Sequence, residues 1–162
     1  MKKVQNSSLY GHFDLNPFDL DNVYTRLEIG ISFDKALDEY IHECYKRSHY
    51  MQNRFYEGKI KSFKYTTYNL VTSAELNALN SLKVYYRSSL DVDGEAGFFA
   101  LIKERQARIR DKMNELRLMD VPEYDKKYLD IEFLVLKTEH KVFSFGIALY
   151  KQLNLDRQLG QK

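Results

Sequence analysis

Apolar residues recur along this chain with two different periods, and each change of period marks a boundary between predicted elements. From Val23 to Ile31 the apolar and β-branched positions Val23, Thr25, Leu27, Ile29 and Ile31 alternate with Tyr24, Arg26 and Glu28, which predicts a strand. Asn16-Pro17 offers a competing helix start just before it. From Phe33 onward the spacing changes to steps of four and three through Leu37, Tyr40, Cys44, Ser48, Met51 and Phe55. That stripe predicts a helix over 33–57, with Ser32 as N-cap, Asp34 in the first turn and Gly58 as terminator.

Lys59 to Val71 is rich in Ile, Tyr and Thr, shows no sustained helical stripe and reads as a strand. Leu76, Leu79, Leu82 and Tyr86 predict a second helix over 73–89. A turn at Asp91-Val92-Asp93-Gly94 then caps a third over 95–119, striped by Phe98, Ile102, Ile109, Met113 and Leu116 and stopped before Pro122. Two runs follow, 131–137 and 142–150, apolar on both faces, so that periodicity fails to separate a hairpin from one long helix. Gly146 costs a helix interior about 1 kcal/mol relative to alanine and favours the hairpin. The expected fold is therefore α+β and helix-dominated: three main helices plus a small antiparallel sheet from 23–31, 59–71 and the C-terminal hairpin. The alternative is an all-α bundle.

Composition adds limits. The 162 residues suit one domain over 1–162, with an irregular N-terminal arm over about 1–16. Hydrophobic residues at 44% and charged residues at 30% are ordinary for a globular chain, and 14% aromatic content argues against extensive disorder. The one cysteine, Cys44, forbids an intrachain disulfide and a multi-cysteine zinc site. No apolar stretch reaches membrane-spanning length, and Met1-Lys2-Lys3 is not followed by a signal-type apolar run. A cytoplasmic protein is expected.

Charge changes the picture more. The net charge is only +2, but residues 10–44 carry eight acidic side chains against Arg26 and Lys35, and residues 45–68 carry six basic ones against Glu57. The basic block interleaves Lys46, Arg47, Arg54, Lys59, Lys61 and Lys64 with Tyr45, Tyr50, Phe55, Tyr56, Phe63, Tyr65 and Tyr68. Cations neutralise phosphates and aromatic faces stack on bases, so this mixture points to nucleic acid. Lys103, Arg105, Arg108, Arg110, Lys112 and Arg117 on the third helix offer a second basic surface, and Glu104–Arg108 forms a favourable i,i+4 pair. Lys46, Arg47 and Arg54 are expected to form one exposed patch. Asp34, Asp38, Glu39 and Glu43 form an acidic face suited to a protein partner.

Catalytic motifs are missing. Glu39-x-x-His42 has the spacing of one di-iron half-site, but no second such motif occurs, and an exposed polar face explains it. Asp91-Val92-Asp93-Gly94 has its glycine two positions too early for a calcium loop. Neither a metal nor another cofactor is expected. The sequence points to a small, non-enzymatic, regulatory-type binding protein that contacts nucleic acid or a nucleoprotein through its basic–aromatic surface. The alternative is a protein–protein inhibitor or adaptor that uses both charged faces, with homo-oligomerisation open to either.

Overall fold

The computed structural model describes residues 31–90 and 92–160, with side chains as far as Leu155. Helix α1 is Phe33–Tyr56, α2 is Ser62–Leu90, α3 is Gly94–Leu118 and α4 is Lys126–Gly160, with a short 3-10 turn at Glu123–Asp125 before α4. The described residues contain four long helices and no strand, so the α+β expectation is corrected and the all-α alternative holds. The 1–16 arm and nearly all of the 23–31 strand lie outside the described residues.

α1 starts and stops where its sequence dictates. Ser32 Oγ accepts from the Lys35 amide at 3.3 Å, and Asp34 complements the positive end of the helix. At the other end Gly58 adopts φ 72°, its amide donates to the Phe55 carbonyl, and Lys59 donates to the Arg54 carbonyl. Those two bonds define a Schellman stop, which needs the left-handed conformation that glycine takes without strain. Gly94, the first residue of α3, also takes a positive φ, 61°, where the chain turns into that helix.

The chain runs up and down, so neighbours in sequence pack antiparallel while α2 and α4 run parallel. α2 is the hub and packs against each of the other three, whereas α1 meets α4 only over a short stretch. The 59–71 strand is replaced by the first part of α2. There Thr67, Tyr68, Val71, Thr72, Glu75, Ala78, Leu79 and Leu82 form a continuous buried stripe, and their burial overrides the local preference for strand. The Thr67 hydroxyl donates to the Phe63 carbonyl at 2.8 Å, one turn back, so the helix satisfies it without a sheet.

The C-terminal hairpin is likewise corrected to one helix. Its runs are apolar on both sides because α4 is enclosed by α2 and α3, burying Ile131, Val142, Phe143, Phe145 and Leu149. The supposed turn, Thr138 to Lys141, is helical, with Thr138 bonded back to the Leu134 carbonyl at 2.7 Å. Gly146 does not break α4. It brings two helices together, since a Cβ there would sit 2.6 Å from both Leu82 Cδ atoms. At the end of the bundle formed by the start of α1, Phe33, Tyr86, Phe98 and Tyr150 make a cluster of rings with centroids 4.9–6.1 Å apart.

Gly146→Ala is expected to lower stability by about 1–3 kcal/mol through overpacking, despite alanine's better helix propensity. In a Leu82→Ala background the same change should cost less, and the coupling is read from denaturant midpoints in a double-mutant cycle. Leu37→Ala, which empties a fully buried site, should cost about 2–5 kcal/mol.

Candidate functional site

Arg47 departs most from expectation. It lies on the buried stripe of α1, between Tyr40, Cys44 and Met51, instead of on an exposed patch with Lys46 and Arg54. Its guanidinium donates to Glu75 Oε2 of α2 at 2.9 Å and to Cys44 Sγ at 3.0 Å, and the Cys44 thiol lies 3.3 Å from the same carboxylate oxygen. Burial alone would disfavour the charged guanidinium, but the Glu75 carboxylate outweighs it and holds Arg47 above its already high ordinary value. Burial first, and Glu75 second, push the Cys44 thiol up to about 12. Burial also pushes the Tyr68 phenol up to about 12, against the lowering pull of Arg47. This cluster is a structural bridge between α1 and α2, with a protonated and inert thiol.

The exposed patch therefore loses its centre. Lys46 is exposed and lies 3.6 Å from half-buried Glu43, while Arg54 folds over the Tyr50 ring at 5.7 Å. On α3 the basic residues divide. Lys103 and Arg110 share one flank at a step of seven; Arg105, Arg108 and Lys112 lie toward the other, with Glu104, Asp111 and Glu115 on the exposed face between them. Arg105 reaches Glu139 at 3.5 Å, Arg108 pairs with Glu104 as its spacing predicts, and Arg110 donates to His140 Nε2 at 3.2 Å. Partial burial and the Arg110 charge hold His140 below its ordinary pKa. α3 thus presents mixed charge instead of a phosphate-binding ridge. The acidic face is also engaged, Asp34 with Arg87 at 3.0 Å, Asp38 with Lys83 and Glu43 with Lys46, leaving Glu39, beside His42, as its member without an ion pair among the described residues.

What remains gathers at the end of the bundle where α1 finishes, α2 starts, α3 finishes and α4 starts. Lys59 and Lys61 are exposed and Lys64 is half-buried. Tyr65 stacks on Phe55 with centroids 4.4 Å apart and planes 5° from parallel, which fixes the start of α2 against α1. Lys127 of α4 sits over both Phe63 and Tyr128, at 5.2 and 5.0 Å. Tyr56, Phe63, Tyr124 and Tyr128 are 73%, 44%, 74% and 54% exposed. Lys59 pairs with Glu57 and Lys126 with Glu123; among the described residues no ion pair engages Lys61, Lys64 or Lys127. α2 carries no acid in its first turn, so its positive end adds to the lysines, whereas Glu123 and Asp125 stand directly before α4 and offset its positive end.

Lys127, Tyr124 and Tyr128 are members that sequence reasoning missed, although Glu123, Asp125, Lys126 and Lys127 around the two tyrosines mark a surface. Among the described residues no group of three or more metal-ligating side chains comes together, and no helix is long and apolar enough to cross a membrane.

Arg47→Met alone is expected to cost about 3–5 kcal/mol, because it strands Glu75 as a buried charge, and Glu75→Leu in the same chain should recover most of it. Cys44 and Tyr68 have folded pKa values above their ordinary 9.0 and 10.0, so their contribution is complete below about pH 9 and falls as pH rises toward about 12. Denaturant midpoints should decline over that window, and Cys44→Ala should flatten the decline. Comparison with family models, with curated proteins and with solved structures finds no match to this chain.

Proposed function

We propose that this protein binds single-stranded nucleic acid, or a nucleoprotein that presents it, at the lysine-bearing end of the bundle. One observation carries the proposal: exposed rings and three lysines without ion-pair partners among the described residues share that end with the positive end of α2. Unstacked bases find aromatic faces in Phe63, Tyr124 and Tyr128, and the backbone phosphates find Lys61, Lys64 and Lys127. Rings exposed at a helical end suit a flexible strand better than a duplex, whose bases are already stacked. We assign the activity to the cytoplasm, where the single thiol stays reduced.

The mixed charge of α3 supports a second reading, a protein partner, because Glu104, Asp111 and Glu115 would repel phosphate while a protein surface can use both signs.

Fluorescence anisotropy with labelled single- and double-stranded oligonucleotides across a salt series decides between them. Single strands should bind more tightly, with log K falling against log salt by about 0.7 per phosphate contact. Lys61→Glu with Lys127→Glu should weaken binding to every sequence and flatten that slope. Phe63→Ala or Tyr128→Ala should lose about 1–3 kcal/mol and reduce the preference for single strands. No affinity at low salt would remove the nucleic-acid reading and leave the protein partner.

A further inference from the structure

We propose that two copies of this chain associate through the outer face of α2, antiparallel about a twofold axis passing Asn77. Leu70, Ser73, Asn77, Ser81 and Val84 recur at steps of three and four and so form one stripe, which Thr66 and Ser88 extend at its ends. The stripe faces away from the bundle: Leu70 is 48% and Val84 61% exposed, and Thr66, Ser73, Asn77 and Ser88 are exposed too. It carries no charge, in a chain where 30% of residues are charged. Between Lys64 and Lys83 the one charged residue on α2 is Glu75, buried against Arg47 on another face. Loss of charge marks the centre of a protein interface more reliably than hydrophobicity does.

The order of side chains along the stripe identifies the partner as a second copy. Counted outward from Asn77, both directions meet a serine at four residues, an aliphatic residue at seven and a hydroxyl at eleven. A twofold contact between identical surfaces requires such self-complementarity under reversal, whereas an unrelated partner does not. In the antiparallel pair Leu70 of one copy faces Val84 of the other, twice. Asn77 faces its own counterpart, where an amide donates and accepts equally, and a polar residue at the centre of such a seam fixes register. The Ser81 hydroxyl donates to the Asn77 carbonyl at 2.8 Å and the Ser88 hydroxyl to the Tyr85 carbonyl at 3.2 Å, so neither donor is stranded on burial.

The course of α1 distinguishes the two possible orientations. α1 runs antiparallel to α2, with Asp34 and Asp38 paired to Arg87 and Lys83 on the C-terminal half of α2. An antiparallel twofold keeps the two α1 helices on one side and reverses them, whereas a parallel twofold would carry them to opposite flanks. The association does not depend on what the lysine-bearing end binds.

Sedimentation of the full chain should give a dimer. Asn77→Lys, which places two ammonium groups at the axis, should weaken the dimer more than about tenfold while leaving the helical circular dichroism unchanged. Under mild oxidation Asn77→Cys should cross-link to itself, and a mixture of Leu70→Cys and Val84→Cys should cross-link between the two. Leu70→Cys alone should not, because its two copies would lie fourteen residues apart along the seam, about 21 Å. A monomer at every concentration, a dimer that survives Asn77→Lys, or self-cross-linking of Leu70→Cys equal to that of Asn77→Cys would overturn the proposal.

Discussion

The bundle depends on the close approach of α2 and α4 at Leu82 and Gly146, where a single additional carbon would force the buried Leu82 side chain to move. Two long parallel helices in such contact form a ridge with a groove on either side. α3 fills one groove with Phe98, Ile102 and Ile109, and α1 lies along the other with Phe33, Leu37 and Tyr40. Gln106 fastens α3 further, donating to the His140 carbonyl at 3.2 Å and lying 2.7 Å from the Ser144 hydroxyl. The ring cluster at the start of α1 follows from the same geometry, since all four helices contribute there to one closely packed volume.

α1 is held differently. With little contact to α4, it is joined to α2 by apolar packing and by charge at three levels: Asp34 with Arg87, Asp38 with Lys83 and Arg47 with Glu75. The outer two are solvated and contribute little each. The inner one is buried, so its value lies less in net stability than in what its loss would cost. It also reverses the sign of the pairing, with the base now on α1, so a shift of α1 along α2 would bring mismatched charges together.

Much of α1 and α3 was legible in the residues, because both are amphipathic, bury one stripe and carry explicit stop signals in Gly58 and Pro122. α2 and α4 were harder to read because each is buried on several sides, and the outer face of α2 sets Leu70 and Val84 among uncharged polar residues, which blurs the period. Gly146 is informative only with Leu82 beside it, and no local rule supplies that neighbour. Arg47 was within reach: steps of three and four from Tyr40 through Cys44 lead to it and on to Met51. Glu75, an isolated acid in a neutral run, was its natural counter-charge. The lysine-bearing end was half legible, since Lys59 to Tyr65 stood out as a basic–aromatic block, but its α4 members are brought there only by the parallel course of α2 and α4.

The main core is also unevenly placed along the bundle. Apart from Ile109 of α3, its residues come from the first half of α1, the second half of α2, the first half of α3 and the middle and second half of α4, toward the end away from the lysines. Cohesion is therefore graded along the long axis, and the free energy of local opening should be lowest where Lys61, Lys64 and Lys127 lie. Amide protons there would exchange through partial opening, while those around Leu82 and Gly146 would exchange only when the whole molecule unfolds. A ligand held at the lysine-bearing end would then slow exchange in the half of the protein that its own core secures least.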